Sequence, residues 1–351
     1  MFFLLFVCLQ KSTVDVIVAC QPSKLDDRER NPDGAYTFFA KKNENMKQGN
    51  LDKFFNIKHK RPVPEFFTLT ESFTCILAKD TNAQFVKHCN IRLYNSNFEV
   101  TLYCHPIFLK PFQLSNECIF SEKAVYFLKS LLQKAIRRGF TEHALYAAYT
   151  LLQLDPIVLY RRLPIIMMED VCIHDSFQSL VWHMMAEIKP SECFVKYILG
   201  VVAFLCDHKT AISYAKHTSL TPKIPDIPIV WAIVFRIQYG GMKGDVEMMN
   251  YIANAIISNQ METVQTEIQL YNDNVNTPTV WMFEAIDFHV LPSILCLPLN
   301  VPQDELKKMM WINSSCINYR KQNTPYKLEE WKKICHTIRE KQMLYFETLK
   351  K

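Results

Sequence analysis

Between residues 117 and 216, three apolar patterns of helical spacing follow one another, each with its own start and stop. This block limits the fold more than any other feature of the chain. Ser121 can cap a helix carrying Val125, Leu128, Leu131, Leu132, Ala135 and Ile136 on one face, and Gly139 is a natural stop. Thr141 opens a second, with Leu145, Ala148 and Leu152 together. Asp155-Pro156 restarts the chain as an N-cap followed by a first-turn proline, ahead of Leu159, Leu163, Ile166 and Met167. Pro164 falls inside this third pattern and should bend or split it. The 351 residues hold only 7 glycines, which disfavours many-turned β folds and Gly-rich phosphate loops. An apolar fraction of 49% is ample for a sizeable core. The expected fold class is α+β, mostly α.

The order of residues in this block also carries a likeness. Ser130-Leu-Leu-Gln-Lys-Ala-Ile-Arg-Arg-Gly, His143-Ala-Leu-Tyr-Ala-Ala and Tyr160-Arg-Arg-Leu-Pro-Ile-Ile-Met-Met-Glu-Asp-Val are followed by Pro190-Ser-Glu-Cys and Gly200-Val-Val-Ala-Phe-Leu. Residues 130–214 resemble the C-terminal helical domain of the MgsA/RarA/Werner-helicase-interacting ATPases, clamp-loader relatives active at stalled replication forks. The resemblance implies a collar-like domain used in subunit assembly. The sequence departs from the family in having no G-x-x-x-x-G-K-[S/T] loop; its one glycine cluster, Gly240-Gly241-Met242-Lys243-Gly244, lacks that spacing. No ATPase and no cofactor are expected. Arg161, Arg162, Glu169 and Asp170 are expected to form a structural ion network, because buried charges are usually paired. Lys134, Arg137 and Arg138 make a basic helix end that either touches DNA phosphates or complements the helix dipole.

Upstream lies Gln48-Gly49-Asn50-Leu51-Asp52-Lys53-Phe54-Phe55, which fits the pattern Q-x-x-[I/L/M]-x-x-[F/Y]-[F/Y]. In a helical turn Leu51, Phe54 and Phe55 share one side as a three-pronged apolar plug. Gln48, one turn earlier, offers both a donor and an acceptor. Two adjacent aromatics bury much area at small entropic cost. The stretch resembles a PIP box, the peptide by which replication and repair proteins dock on the sliding clamp (PCNA). Lys58, His59, Lys60 and Arg61 follow, a charge pattern that speeds encounter with an acidic surface. Lys41 and Lys42, with Lys58, Lys60 and Arg61, have nearly the spacing of a bipartite nuclear import signal.

The remaining boundaries come from composition. Residues 1–21 read as one or two N-terminal strands around Val14–Ala19, or as a weak leader. Residues 22–66 read as a disordered linker holding the motif at 48–55. Residues 67–116 read as β, with Phe73–Ala78 as a strand and a hairpin from Asn90–Tyr94 through Asn95-Ser-Asn to Phe98–Tyr103. That hairpin would bring His88-Cys89 near Cys104-His105. Alternation along the strands puts the two Cys and the two His on opposite faces, so no metal is expected there. The 12 cysteines contain no C-x-x-C pair, which points to free thiols in a reducing compartment. No segment has the length and apolarity of a membrane span.

Residues 117–216 are then the collar-like domain and 217–351 a helical C-terminal region. In the latter, Ile229–Ile237 reads as helix or strand, Val246–Ile257 and Thr263–Tyr271 as helices, and Leu328–Lys350 as a charged amphipathic helix. Trp311 and Trp331 could stack on bases, with core packing the ordinary alternative. A net charge of +5 is compatible with nucleic-acid contact without demanding it. The expectation is a non-enzymatic replication or repair factor in the nucleus or at a viral replication site. Its partners would be PCNA, DNA and other copies of itself, with no membrane. The rivals are a viral or chromatin scaffold with the PIP-like peptide packed internally, and a metal-dependent DNA-processing enzyme using Glu169, Asp170 and Asp175.

Overall fold

A short mixed sheet packs beneath a helical body. The computed structural model describes residues 63–93, 95–114, 118–208, 220–221, 223–286 and 328–351. The strands are β1 (Phe66–Leu69), β2 (Cys75–Ile76), β3 (Gln84–Leu93) and β4 (Ser96–Cys104), in the order β2-β1-β4-β3. β1 runs parallel to β4 and antiparallel to β2. The expected α+β class, mostly helical with a small β region, is the class observed.

Three boundaries move. The linker was expected to reach residue 66, but the sheet begins there, and Glu65 already accepts from Thr101 N–H at 2.8 Å. The strand expected over Phe73–Ala78 shrinks to two residues, because Phe73 takes a left-handed turn conformation with φ of 62°. The hairpin is tighter than expected. Leu93 pairs with Ser96 across a two-residue turn in which Asn95 is left-handed, φ 64°. Asparagine tolerates that region better than most residues.

Among the described residues seven helices lie between residues 125 and 257, α1 (Val125–Arg138), α2 (Thr141–Leu154), α3 (Pro156–Asp170), α4 (Ser176–Ala186), α5 (Glu192–Asp207), α6 (Pro228–Gln238) and α7 (Lys243–Ile257), and an eighth, α8 (Leu328–Glu347), lies near the end of the chain. Gly139 ends α1 in the left-handed region, φ 72°. Asp155 caps α3 by accepting from the N–H groups of Ile157 and Val158 at 3.1 and 3.3 Å, with Pro156 in the first turn. α3 does not split at Pro164, which is buried within it. Ser121 does not cap α1: a single 3-10 turn intervenes, and its hydroxyl instead donates to Leu349 O at 3.0 Å.

α4 is buried on every side, as expected of a helix apolar all round. It joins the two layers. The Trp182 indole N–H donates to Phe67 O at 3.0 Å, and on α6 the Phe235 ring meets Phe67 edge-on at 5.2 Å. The apolar face of the sheet (Phe67, Leu69, Ile91, Val100 and Leu102) belongs to the same core as the helices. The described residues of the expected segments 67–116, 117–216 and 217–351 thus share one interior, and they fall in one compact unit.

Residues 263–271 are not helical. They run extended along the helical body: Val264 N–H donates to Ile173 O at 2.8 Å, and Tyr271 N–H to Lys196 O at 3.0 Å. Gly200 on α5 makes the crossing possible, since a Cβ there would stand 2.1 Å from Gln269 O. Residues 349–351 pair with 119–121, and the adjacent Phe346 ring enters an aromatic box of Phe120, Phe127, Trp281 and Phe283. Among the described residues no helix is long and apolar enough to cross a membrane.

Candidate functional site

The clamp motif (Gln48, Leu51, Phe54, Phe55) and the import-signal residues Lys41, Lys42, Lys58, Lys60 and Arg61 lie outside the described residues, as do Val14–Ala19 and Trp311. The other expected site residues are placed, and most of them gather where α1 meets α3.

There the ion network is drawn differently from the expectation. Arg137 supplies the cation, pairing with Asp170 through Nε and reaching Asp170 Oδ2 at 3.1 Å and Glu169 Oε1 at 3.5 Å. Gln133 is the hinge of the cluster. Its Nε2 donates to Glu169 Oε2 and Asp170 Oδ2, both at 2.9 Å, while its Oε1 accepts from Arg162. Arg161 points elsewhere and donates to Tyr239 O at 2.8 Å. Burial chiefly, then the neighbouring Asp170 carboxylate, raises the Glu169 carboxyl above the usual range, against the pull of Arg137, Arg162 and Gln133. Helix spacing puts Gln133 and Arg137 on one side of α1, a signal available in the sequence but masked by reading 134, 137 and 138 as one patch.

All three cations of that basic helix end have internal partners. Besides Arg137, Lys134 Nζ donates to Glu284 O at 2.7 Å, and Arg138 Nη1 pairs with Glu284 Oε1 at 2.6 Å. The role filled is fastening α1 to α3 and to residues 283–285. Nearby, the buried Arg236 donates to Arg161 O at 3.0 Å and to Gly240 O at 2.7 Å. Burial first, then the Arg161 charge, lowers its guanidinium to about 10.

The hairpin does not bring His88-Cys89 to Cys104-His105. His88 stands opposite Thr101 and Cys89 opposite Val100, while Cys104 pairs with Gln84. The tighter turn slides the strands, and His88 Nδ1 lies 3.1 Å from Thr101 Oγ1. Cys89 and Cys104 are buried. Burial pushes the Cys104 thiol up to about 12 and Cys206 to the same level, so at neutral pH they are protonated and poorly nucleophilic. Among the described residues no group of three or more His, Cys, Asp or Glu could hold a metal ion.

A second polar centre was not anticipated as a site. A cleft of about 480 Å³ opens where the starts of α4 and α6 meet the end of α7 and the extended residues after it. Asp175, Gln178, Asn259, Glu262, Thr263 and Gln265 supply its polar lining, and Ile227, Pro228, Ile229, Ile256 and Met261 its apolar wall. Asp175, noticed in the sequence only as a possible metal ligand, does not cap α4 with its side chain. Burial raises its carboxyl above the usual range, against His174 and a hydrogen bond from Thr263. His174 itself is held neutral by burial: Nδ1 accepts from Ser176 N–H at 3.0 Å, which leaves Nε2–H to donate to Thr266 O at 2.7 Å. The cleft's residues are far apart in sequence, and no local spacing announces them.

No protein-family model, no curated protein and no solved structure matches this chain.

Proposed function

We propose that this protein is a non-enzymatic accessory factor of DNA replication or repair, recruited to the sliding clamp through residues 48–55. The observation that carries the reading is the motif: Gln48, Leu51, Phe54 and Phe55 at PIP-box spacing, with the basic residues 58–61 just after it. Leu51, Phe54 and Phe55 plug an apolar groove, and Gln48 fixes the register. The motif falls within Met1–His59, ahead in sequence of the folded body described above. Tethering holds that body near the fork at high effective concentration.

In this reading α1 to α5 serve as the assembly surface that the collar resemblance implies, toward another copy or a fork protein. The Arg137, Glu169, Asp170 and Gln133 cluster keeps α1 and α3 in register. The import signal at Lys41, Lys42, Lys58, Lys60 and Arg61 accounts for a nuclear site of action.

The test is binding of the full chain to purified PCNA beside a Leu51→Ala/Phe54→Ala/Phe55→Ala variant. The expected outcome is micromolar binding that the variant loses. Absent binding, or binding unchanged in the variant, overturns the reading and leaves the scaffold alternative in front.

A further inference from the structure

β3 is the last strand of its sheet, so one of its two edges faces no other strand. Leu93 and Ser96 close a two-residue turn, and the pair that closes such a turn is a hydrogen-bonded one. Hydrogen-bonded and non-bonded pairs then alternate along the ladder, so Ile91–Phe98 and Cys89–Val100 are bonded and His88, Asn90 and Arg92 are not. The backbone N–H and C=O groups of these three residues therefore point away from β4. All three residues are exposed, and no backbone bond to another described residue satisfies them from outside the hairpin. Such a row of donors and acceptors is a template for one more strand.

The side chains along this edge are a separate observation, and they give the guest its chemistry. Gln84–Leu93 carries Lys87 and Arg92 and no acidic residue. Glu187 takes Lys87, whereas Arg92 has no partner among the described residues. At the other end of the strand Phe85 is 53% exposed, its ring 4.8 Å from His88 and 6.1 Å from Tyr103. The bulge in β3 lies between Phe85 and Lys87, so the pairing is regular from His88 to Leu93.

We propose that the free edge of β3 takes an extended, acidic segment of a partner protein as an added antiparallel strand. Backbone bonds to His88, Asn90 and Arg92 supply the attachment, and two side chains supply the choice: a carboxylate beside Arg92 and an apolar group over Phe85. A second copy of this chain fits less well, because antiparallel pairing of two β3 strands about Asn90 sets Arg92 of each copy beside His88 of the other. Single-stranded nucleic acid also fits less well. In residues 63–112 four Lys and Arg are matched by four Asp and Glu, which leaves no net attraction for a run of phosphates.

The experiment titrates the full chain with the fluorescein-labelled, amidated peptide Glu-Thr-Val-Thr-Val-Thr-Leu, read by anisotropy and by hydrogen–deuterium exchange. The expected result is saturable binding, with the amides of residues 88–92 exchanging fast in the free chain and slowly once the peptide is added. Asn90→Pro removes an outward N–H without removing a bond to β4, and should weaken binding about tenfold. Should that variant disturb the hairpin, Arg92→Glu, exposed and unpaired in the fold, carries the same test. It should weaken this peptide several-fold and strengthen the same peptide with Lys in place of Glu. No binding, or binding unchanged in these variants, overturns the proposal. So does slow exchange at 88–92 before any peptide is added, which would mean that the chain covers its own edge. A dimer that Asn90→Pro dissociates, or tighter binding of a thymidine heptanucleotide, would overturn it in favour of another occupant. None of these measurements depends on residues 48–55, so failure of the clamp reading and failure of this one are separately visible.

Discussion

His183 is wholly buried on α4, its ring stacked on Phe194 with centroids 3.3 Å apart. Nδ1–H donates to Ser179 O at 3.0 Å, and Nε2 has no partner. A proton on Nε2 would be a buried charge with no acceptor, and burial lowers the imidazole from 6.5 to about 3. The folded-state value is depressed, so the group's contribution is complete above pH 6.5. As the pH falls from 6.5 towards 3 the unfolded chain takes a proton the folded one refuses, and stability drops by up to ~1.4 kcal/mol per pH unit. His174, also lowered, adds in the same direction. Urea midpoints at pH 7 and pH 4.5 check this: the fall between them should be smaller in His183→Leu than in the parent, whatever the variant's stability at pH 7. An equal fall in both would assign the acid sensitivity to other groups.

Among the elements, those with local signals were legible and those with distant partners were not. Gly139 stops α1 and Asp155-Pro156 starts α3 because caps act within a turn of the residue that makes them. Residues 263–271 looked helical because apolar spacing was the only local guide, whereas their backbone bonds go to Ile173 and Lys196. The hairpin was legible as a hairpin, but its register depended on one residue of turn length. Gly200 bears on the extended segment directly. In Gly200→Ala the added methyl would meet Gln269 O at 2.1 Å and Ile268 Cγ2 at 3.0 Å, so the segment must lift. The expected cost is ~1–3 kcal/mol. Thermal unfolding should report it, together with faster proteolysis within 263–271; a variant as stable and as protected as the parent would contradict the crossing.

For the whole molecule, long-range closure rests on residues 346–351. Phe346 is 1% exposed inside its aromatic box, and residues 349–351 pair with 119–121. Phe346→Ala should cost ~3–5 kcal/mol and free α8 for early cleavage in limited proteolysis. A loss under ~1 kcal/mol would mean that the box collapses around the gap. The sequence showed an amphipathic helix here but not its destination, which is set by rings distant in sequence, Phe120 and Phe127 beside Trp281 and Phe283. The two candidate sites divide the same way. The clamp motif is legible because a linear peptide carries its whole pattern in one stretch, while Asp175, Gln178 and Glu262 become neighbours only once α4, α6 and α7 have packed. The bond from Trp182 to Phe67 O gives the joint between sheet and helices an optical signature of its own. Indole emission from that buried, hydrogen-bonded setting is blue and reddens when water enters, so with the other four tryptophans replaced by Phe, Trp182 would report whether β1 is seated on α4.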